Sequence, residues 1–240
     1  MSGYVERYFV ALAALATPIE AEAKALAADL GTTAYEERLK LAGALPAIVL
    51  ATVDEAAAQA LLGKLRARKH RALLARASDV VAAAEMVAMR HFQITGGGLE
   101  SGGEELPWSA IAVLVRARQL KHLDTTTVIK EKKLALGRAV MTGGLLMRKT
   151  QTREVVTHAE DIEQILYVFR NDGGTPWLMR ELSTNYGALG AALAPNAHAN
   201  FGIATELFRK RAPHARFDDT LLRRPALDDV DLYAHLIAQP

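Results

Sequence analysis

The chain has 240 residues, half of them apolar and 23% charged, the composition of a soluble globular protein long enough to bury one or two cores. It holds no cysteine, which excludes disulfides, thiolate catalysis and thiolate metal sites and agrees with a reducing compartment. The formal net charge of +2 hides an asymmetry: Lys and Arg number 4 against 8 Asp and Glu over residues 1–60, 17 against 7 over 61–153, and 8 against 12 over 154–240. A basic centre between acidic ends points either to an anionic partner or to ordinary solvated faces.

Tyr8–Ala16 is an apolar run without a basic leader, since Glu6 and Arg7 cancel, and it is too short to span a membrane. It reads as a buried strand, so the chain is expected to be cytoplasmic rather than transmembrane. An Ala-rich helix follows from Pro18 to Leu30, with Thr17 as its N-cap, Pro18 in its first turn and Gly31 ending it. Thr32 or Thr33 caps a second helix through Tyr35–Leu41. Ala47–Val53 is a short apolar strand, and Asp54 starts a helix whose Ala57, Leu61 and Leu65 share one face. Ala72–Ala75 closes the set as a strand, giving the order β-α-α-β-α-β by about Val80.

Beyond a partly helical connector at Ser78–Met89, the pattern changes to strands: Phe92–Thr95, a glycine cluster, Ile111–Arg116 and Leu145–Val156. The polar stretch 120–144 reads as a loop or an inserted turn. Two strands around Asn171-Asp172-Gly173-Gly174 form a hairpin. In it Tyr167, Phe169 and Trp177 are placed on one aromatic face, as core or as a peptide-binding surface. Phe201, Ala204, Phe208 and Arg211 follow helical spacing up to Pro213, and residues 214–240 form an acidic, partly packed tail. The fold class is therefore α+β: an N-terminal β-α-α-β-α-β sandwich at 1–80, then a mostly antiparallel β domain at 81–240 closed by a C-terminal amphipathic helix.

The segment RLKLAGALPAIVLATVDEAAAQALLGKLRAR, Arg38 to Arg68, resembles the C-terminal domain of the bacterial ribosomal stalk protein, whose fold is shared with the Clp protease adaptor. The resemblance rests on the helix running into a Pro turn at Leu41 and Pro46, on the Val53-Asp54 helix entry, and on the Ala58–Leu65 helix. It implies a small sandwich that docks other proteins. The helix-pair lysine that recruits partners in that family corresponds to Lys24, with Arg38 and Lys40 near the position of a second. The second half is more distantly similar to pleckstrin-homology-like domains, through its antiparallel strands, its Leu106–Trp108 strand entry and its closing helix at Ala197–Arg211. That similarity implies anionic headgroups or peptides as ligands.

Catalytic patterns are sparse. The clusters TGGGLESGG and MTGGLLMRKT lack the Gly-Lys-Ser/Thr order of a phosphate loop and read as glycine turns. His70, His91, His122, His158, His198, His214 and His235 form no i, i+4 pair, so no metal site is expected, and His158 with Glu160 and Asp161 reads as a helix start. No Gly-x-Ser-x-Gly occurs, and the adjacent carboxylates Glu104-Glu105, Asp218-Asp219 and Asp228-Asp229 diverge in any regular element. Lys64, Arg66, Arg68, Lys69 and Arg71 lie at a helix C-terminus, which favours cations. With Lys130, Lys132 and Lys133 they form a candidate anion-binding surface that has almost no aromatics for base stacking.

The sequence therefore predicts a non-enzymatic, cofactor-free adaptor or scaffold docking a protein partner through Lys24, Arg38 and Lys40. The alternative is nucleic-acid or anionic-lipid binding by the basic region 64–153. An enzyme assembled from residues far apart in sequence is a third reading.

Overall fold

The computed structural model describes residues 5–134, 148–224 and 229–240, with side chains described over 5–119, 162–224 and 229–240. The chain divides into two compact units, Met1–Gln119 with Glu163–Pro240, and Leu120–Ile162.

The first unit begins with the expected β-α-α-β-α-β series: β1 (Tyr8–Ala14), α1 (Ile19–Leu30), α2 (Ala34–Leu41), β2 (Ala47–Thr52), α3 (Glu55–Ala67) and β3 (Arg71–Arg76). The sheet order is β2-β1-β3 and both pairings are antiparallel. The central strand is YFVALAA, without a charge, because it is covered on both faces. Val10 and Leu12 pack on Leu26 of α1, Leu41 of α2 and Leu61 and Leu65 of α3. Ala11 faces the other way.

Local chemistry sets the helix ends. Thr33 and Glu36 form a reciprocal capping box on α2, and the Asp54 carboxylate accepts the Ala57 amide at 3.1 Å. Gly31 ends α1 in the left-handed region. Pro18, not Thr17, occupies the N-cap of α1: its φ of −57° and ψ of 147° are extended, and no side chain caps this end.

The remaining strands are β4 (Val87–Ala88), β5 (Phe92–Ile94), β6 (Gly98–Ser101), β7 (Glu104–Pro107), β8 (Ile111–Leu134), β9 (Arg148–Arg170), β10 (Trp177–Arg180) and β11 (Arg216–Asp218); the helices are α4 (Ala197–Arg211) and α5 (Val230–Ala238). β5-β6-β7 is an antiparallel meander. The other five are ordered β11-β8-β9-β10-β4, antiparallel between β9 and β10 and parallel at the two short flanking pairs.

Several expectations change. The connector is one 3-10 turn at Ala77–Asp79 and the two-residue β4, not a helix. The stretch from Leu120 is no loop, since β8 continues to Leu134 across the β-branched run Thr125–Ile129. His158, Glu160 and Asp161 stand within β9 rather than at a helix start. Residues 135–147, including the second glycine cluster's Gly143 and Gly144, lie outside the described residues.

Where side chains of the five-stranded sheet are described, both faces are buried, by alternation. Leu114, Leu166, Val168, Trp177 and Met179 meet Phe201, Ala204 and Phe208 of α4 and the meander's Phe92, Leu99 and Leu106. Val113, Val115, Ile165, Tyr167, Phe169 and Leu178 meet Val230, Ala234 and Ile237 of α5. Trp177 pairs directly with Val168, so it lies on the face opposite Tyr167 and Phe169, and the three aromatics do not share a surface. All three are core.

The tail supplies a shared helix. Leu232 and Leu236, on the other side of α5, cover Ala11, Leu73 and Ala75 of the first sheet. Polar anchors fix it: Tyr167 Oη donates to Asp231 at 2.6 Å, Asp231 also accepts the Ala83 amide at 2.8 Å, and His235 Nε2 lies 3.1 Å from the Val81 amide nitrogen. Phe169 meets the His235 ring edge-on at 4.9 Å. Burial drives the His235 imidazole below its usual value of 6.5.

Candidate functional site

The helix pair α1–α2 carries all three residues expected to bind a partner. In α1, Glu22, Ala23 and Leu26 face inward and Lys24 faces solvent. In α2 the inward side chains are Glu37 and Leu41. Glu37 is fully buried, accepting from Thr32 Oγ1 at 2.8 Å and Lys40 Nζ at 2.7 Å. Fixing Glu37 and Leu41 inward turns Tyr35 and Leu39 outward, since residues two apart on a helix point in nearly opposite directions; Arg38 between them is exposed as well. Tyr35 is 63% exposed and Leu39 56%, one turn apart, and the Arg38 guanidinium stacks over the Tyr35 ring at 5.7 Å. The result is a small apolar pair with the Arg38 cation stacked over it; Lys40, on the same helix, remains 40% exposed beside Glu37, and Lys24 is exposed on α1.

Tyr35 and Leu39 were not among the expected binding residues, although the sequence carries a signal for them. Tyr35, Leu39 and Leu41 cannot occupy one face of an eight-residue helix, so α2 has apolar side chains on two faces and one of them must meet water.

The basic run at the end of α3 and in the following turn is mostly engaged within the fold. Lys64 binds Asp29 at 2.8 Å, and Arg68 bridges Asp29 and Glu22 at 2.7 Å each. Burial pushes the Asp29 carboxyl up, but the hydrogen bonds from Lys64 and Arg68 prevail and hold it below its ordinary value. Arg66 donates to the Ala72 carbonyl and Arg71 to that of Gln239. Lys69 takes a left-handed φ of 68° at the turn into β3 and is exposed. Lys130, Lys132 and Lys133 fall on β8, with side chains outside the described residues.

Behind this run lies a buried chain of polar groups. His70 Nδ1 accepts the Ala16 amide at 2.9 Å, so its proton sits on Nε2, 2.5 Å from Glu22 Oε2, and Glu22 Oε1 holds Arg68. This arrangement ties β3 to α1 and to the turn before it. It is closed to solvent, with Glu22 and His70 both essentially inaccessible.

A second polar network joins β8, β9, α4 and Glu181, the residue after β10. Gln164 Oε1 accepts from Arg116 at 2.5 and 2.9 Å, which fixes its amide so that Nε2 faces His198 Nδ1 at 2.9 Å. Glu181 accepts the Gln164 amide at 3.0 Å and lies 3.1 Å from the same histidine nitrogen. The sequence offers no sign of it, because its bonded members lie 17 to 48 positions apart. Nearby, Arg180 donates to Gln119 at 2.8 Å and to the buried Glu163 at 2.6 Å. Arg180 also lines a cavity of about 420 Å³ with Arg90, Met86, Met89, Leu178 and Ser183.

Among the described residues, no group of three or more His, Asp or Glu side chains is placed to hold a metal ion. No described helix is long and apolar enough to cross a membrane. Compared with protein-family models, curated proteins and solved structures, the chain matches nothing.

Proposed function

We propose that the chain is a non-enzymatic docking protein whose α1–α2 face binds a partner protein. The observation that carries this reading is the outward-facing Tyr35 and Leu39 pair, with Arg38 stacked on the tyrosine; Lys24 and Lys40 are exposed on the same two helices. Exposed tyrosine and arginine over a small apolar patch make efficient binding anchors, and the surrounding cations favour a partner whose contact segment is acidic. The ionisable clusters elsewhere serve internal pairing: Glu22, Asp29, Glu37 and Glu163 each hold a cation of the fold.

The test is capture from host lysate by the tagged full chain, with nuclease and at moderate salt. Any protein retained is then purified and titrated against the wild type, Leu39→Glu and Arg38→Glu. The expected result is a protein retained through both treatments whose binding falls at least about tenfold with either variant, the loss usual for a central anchor. Retention that disappears with nuclease or salt and survives both variants would overturn the reading. It would transfer function to the basic region 64–153 as a nucleic-acid or anionic-lipid site.

A further inference from the structure

Among the described residues no strand pairs with the far side of β2, which ends the order β2-β1-β3. Its sequence AIVLAT, continued by Val53, contains no charge, proline or glycine, and Val53 is 61% exposed. Sheets in monomeric proteins guard such edges with lysine, proline or a covering loop. Among the described residues, no group from outside the sheet reaches an amide or carbonyl of Ala47–Thr52. The nearest cover is Arg224, whose guanidinium binds the carbonyls of Ala44 and Pro46, just before the strand begins.

The two ends of the edge carry opposite charge. At the start stand Lys40, Arg223 and Arg224, around a hollow of about 280 Å³ that also touches Ala47 and Ile48. At the finish stand Asp54 and Glu55, both exposed; Glu55 is also bound to Arg76 at 3.0 Å, so Asp54 carries the acidic character of this end. A two-fold axis through the edge lays one β2 antiparallel to another, which brings the basic start of each against the acidic finish of its copy. Parallel pairing would oppose like charges.

We propose that this chain self-associates through β2, two copies joining their three-stranded sheets into one continuous antiparallel sheet. The occupant of the edge is a second copy because the strand complements itself in both hydrogen bonding and charge. The contact shares only Lys40 with the α1–α2 patch, and variants at Val53 and Arg223 leave Lys40 in place, so each can fail without the other.

Sedimentation of the full chain from low to high micromolar concentration tests the proposal, combined with hydrogen exchange at both extremes. The mass should rise from monomer to dimer, and the amides of Ala47–Thr52 should slow with concentration while those of β1 do not. Val53→Lys, at an exposed site, and Arg223→Glu, also exposed, should each weaken the dimer about tenfold, because the two-fold axis counts each change twice. Together they should restore it, since the charges are again opposite. A monomer at every concentration with unchanged β2 exchange would overturn the proposal. So would a dimer that neither single variant weakens.

Discussion

Glu22 shows how a single side chain can hold three segments together. Its two oxygens serve His70 and Arg68, and His70 in turn satisfies the Ala16 amide between β1 and α1. Removing the carboxylate strands a buried imidazole N–H and leaves the guanidinium only Asp29. Glu22→Ala is therefore expected to destabilise the first unit by about 3 kcal/mol, the cost of breaking a buried charged pair from one side. Glu22→Gln, which keeps an acceptor, should lose less; urea melts of the two variants provide the comparison. None of this is legible in the sequence. Glu22 looks like one of several acids in an Ala-rich helix, and its partners are 46 and 48 residues away. Lys24, two positions on, is legible because an exposed charge needs no partner to be placed.

At the level of elements, the sequence is clearest where local chemistry acts alone. The Asp54 cap and the Gly31 stop lie where they are expected, and Thr33, one of two candidate caps, takes the α2 end; each follows from a few neighbouring residues. Strand pairing is less legible because it depends on register: alternation puts Trp177 on one face with Tyr167 and Phe169, whereas its pairing with Val168 turns it to the other core. Register also explains Gly98 in β6. A Cβ there would lie 2.2 Å from the Leu106 carbonyl oxygen across the meander, and backbone cannot yield as a flexible side chain does. Gly98→Ala is expected to cost about 2–4 kcal/mol and to loosen the Leu99 and Leu106 packing against α4. Thermal denaturation, with near-ultraviolet circular dichroism to follow Trp108, checks it.

For the whole molecule, the decisive element is α5, the helix that touches two sheets at once. Its docking is pH-sensitive. Burial lowers the His235 pKa in the folded chain, so below about 6.5 the unfolded chain binds the proton first and stability falls as pH falls. Burial and the neighbouring Asp231 raise the Tyr167 pKa instead, so stability should also fall above about 10, where the unfolded phenol ionises first. Denaturation midpoints measured against pH should show a plateau between these limits. In His235→Phe the acid-side decline should shrink. If the wild-type acid limb is unchanged by that substitution, His235 is not its origin.

The position of α5 along the chain gives the molecule an order of assembly. Ala11 and Leu232 share a cluster although 221 residues separate them, whereas the helices on the opposite side of the first sheet come from the same stretch of chain as its strands. As a ribosome delivers the polypeptide, β1, β2, β3 and their three helices are available early, with one side of that sheet still bare. The five-stranded sheet likewise waits for its second cover. Both faces close in one late step, when Val230–Ala238 arrives, so synthesis leaves a long interval in which Ala11, Leu73 and Ala75 are open to water and to chaperones.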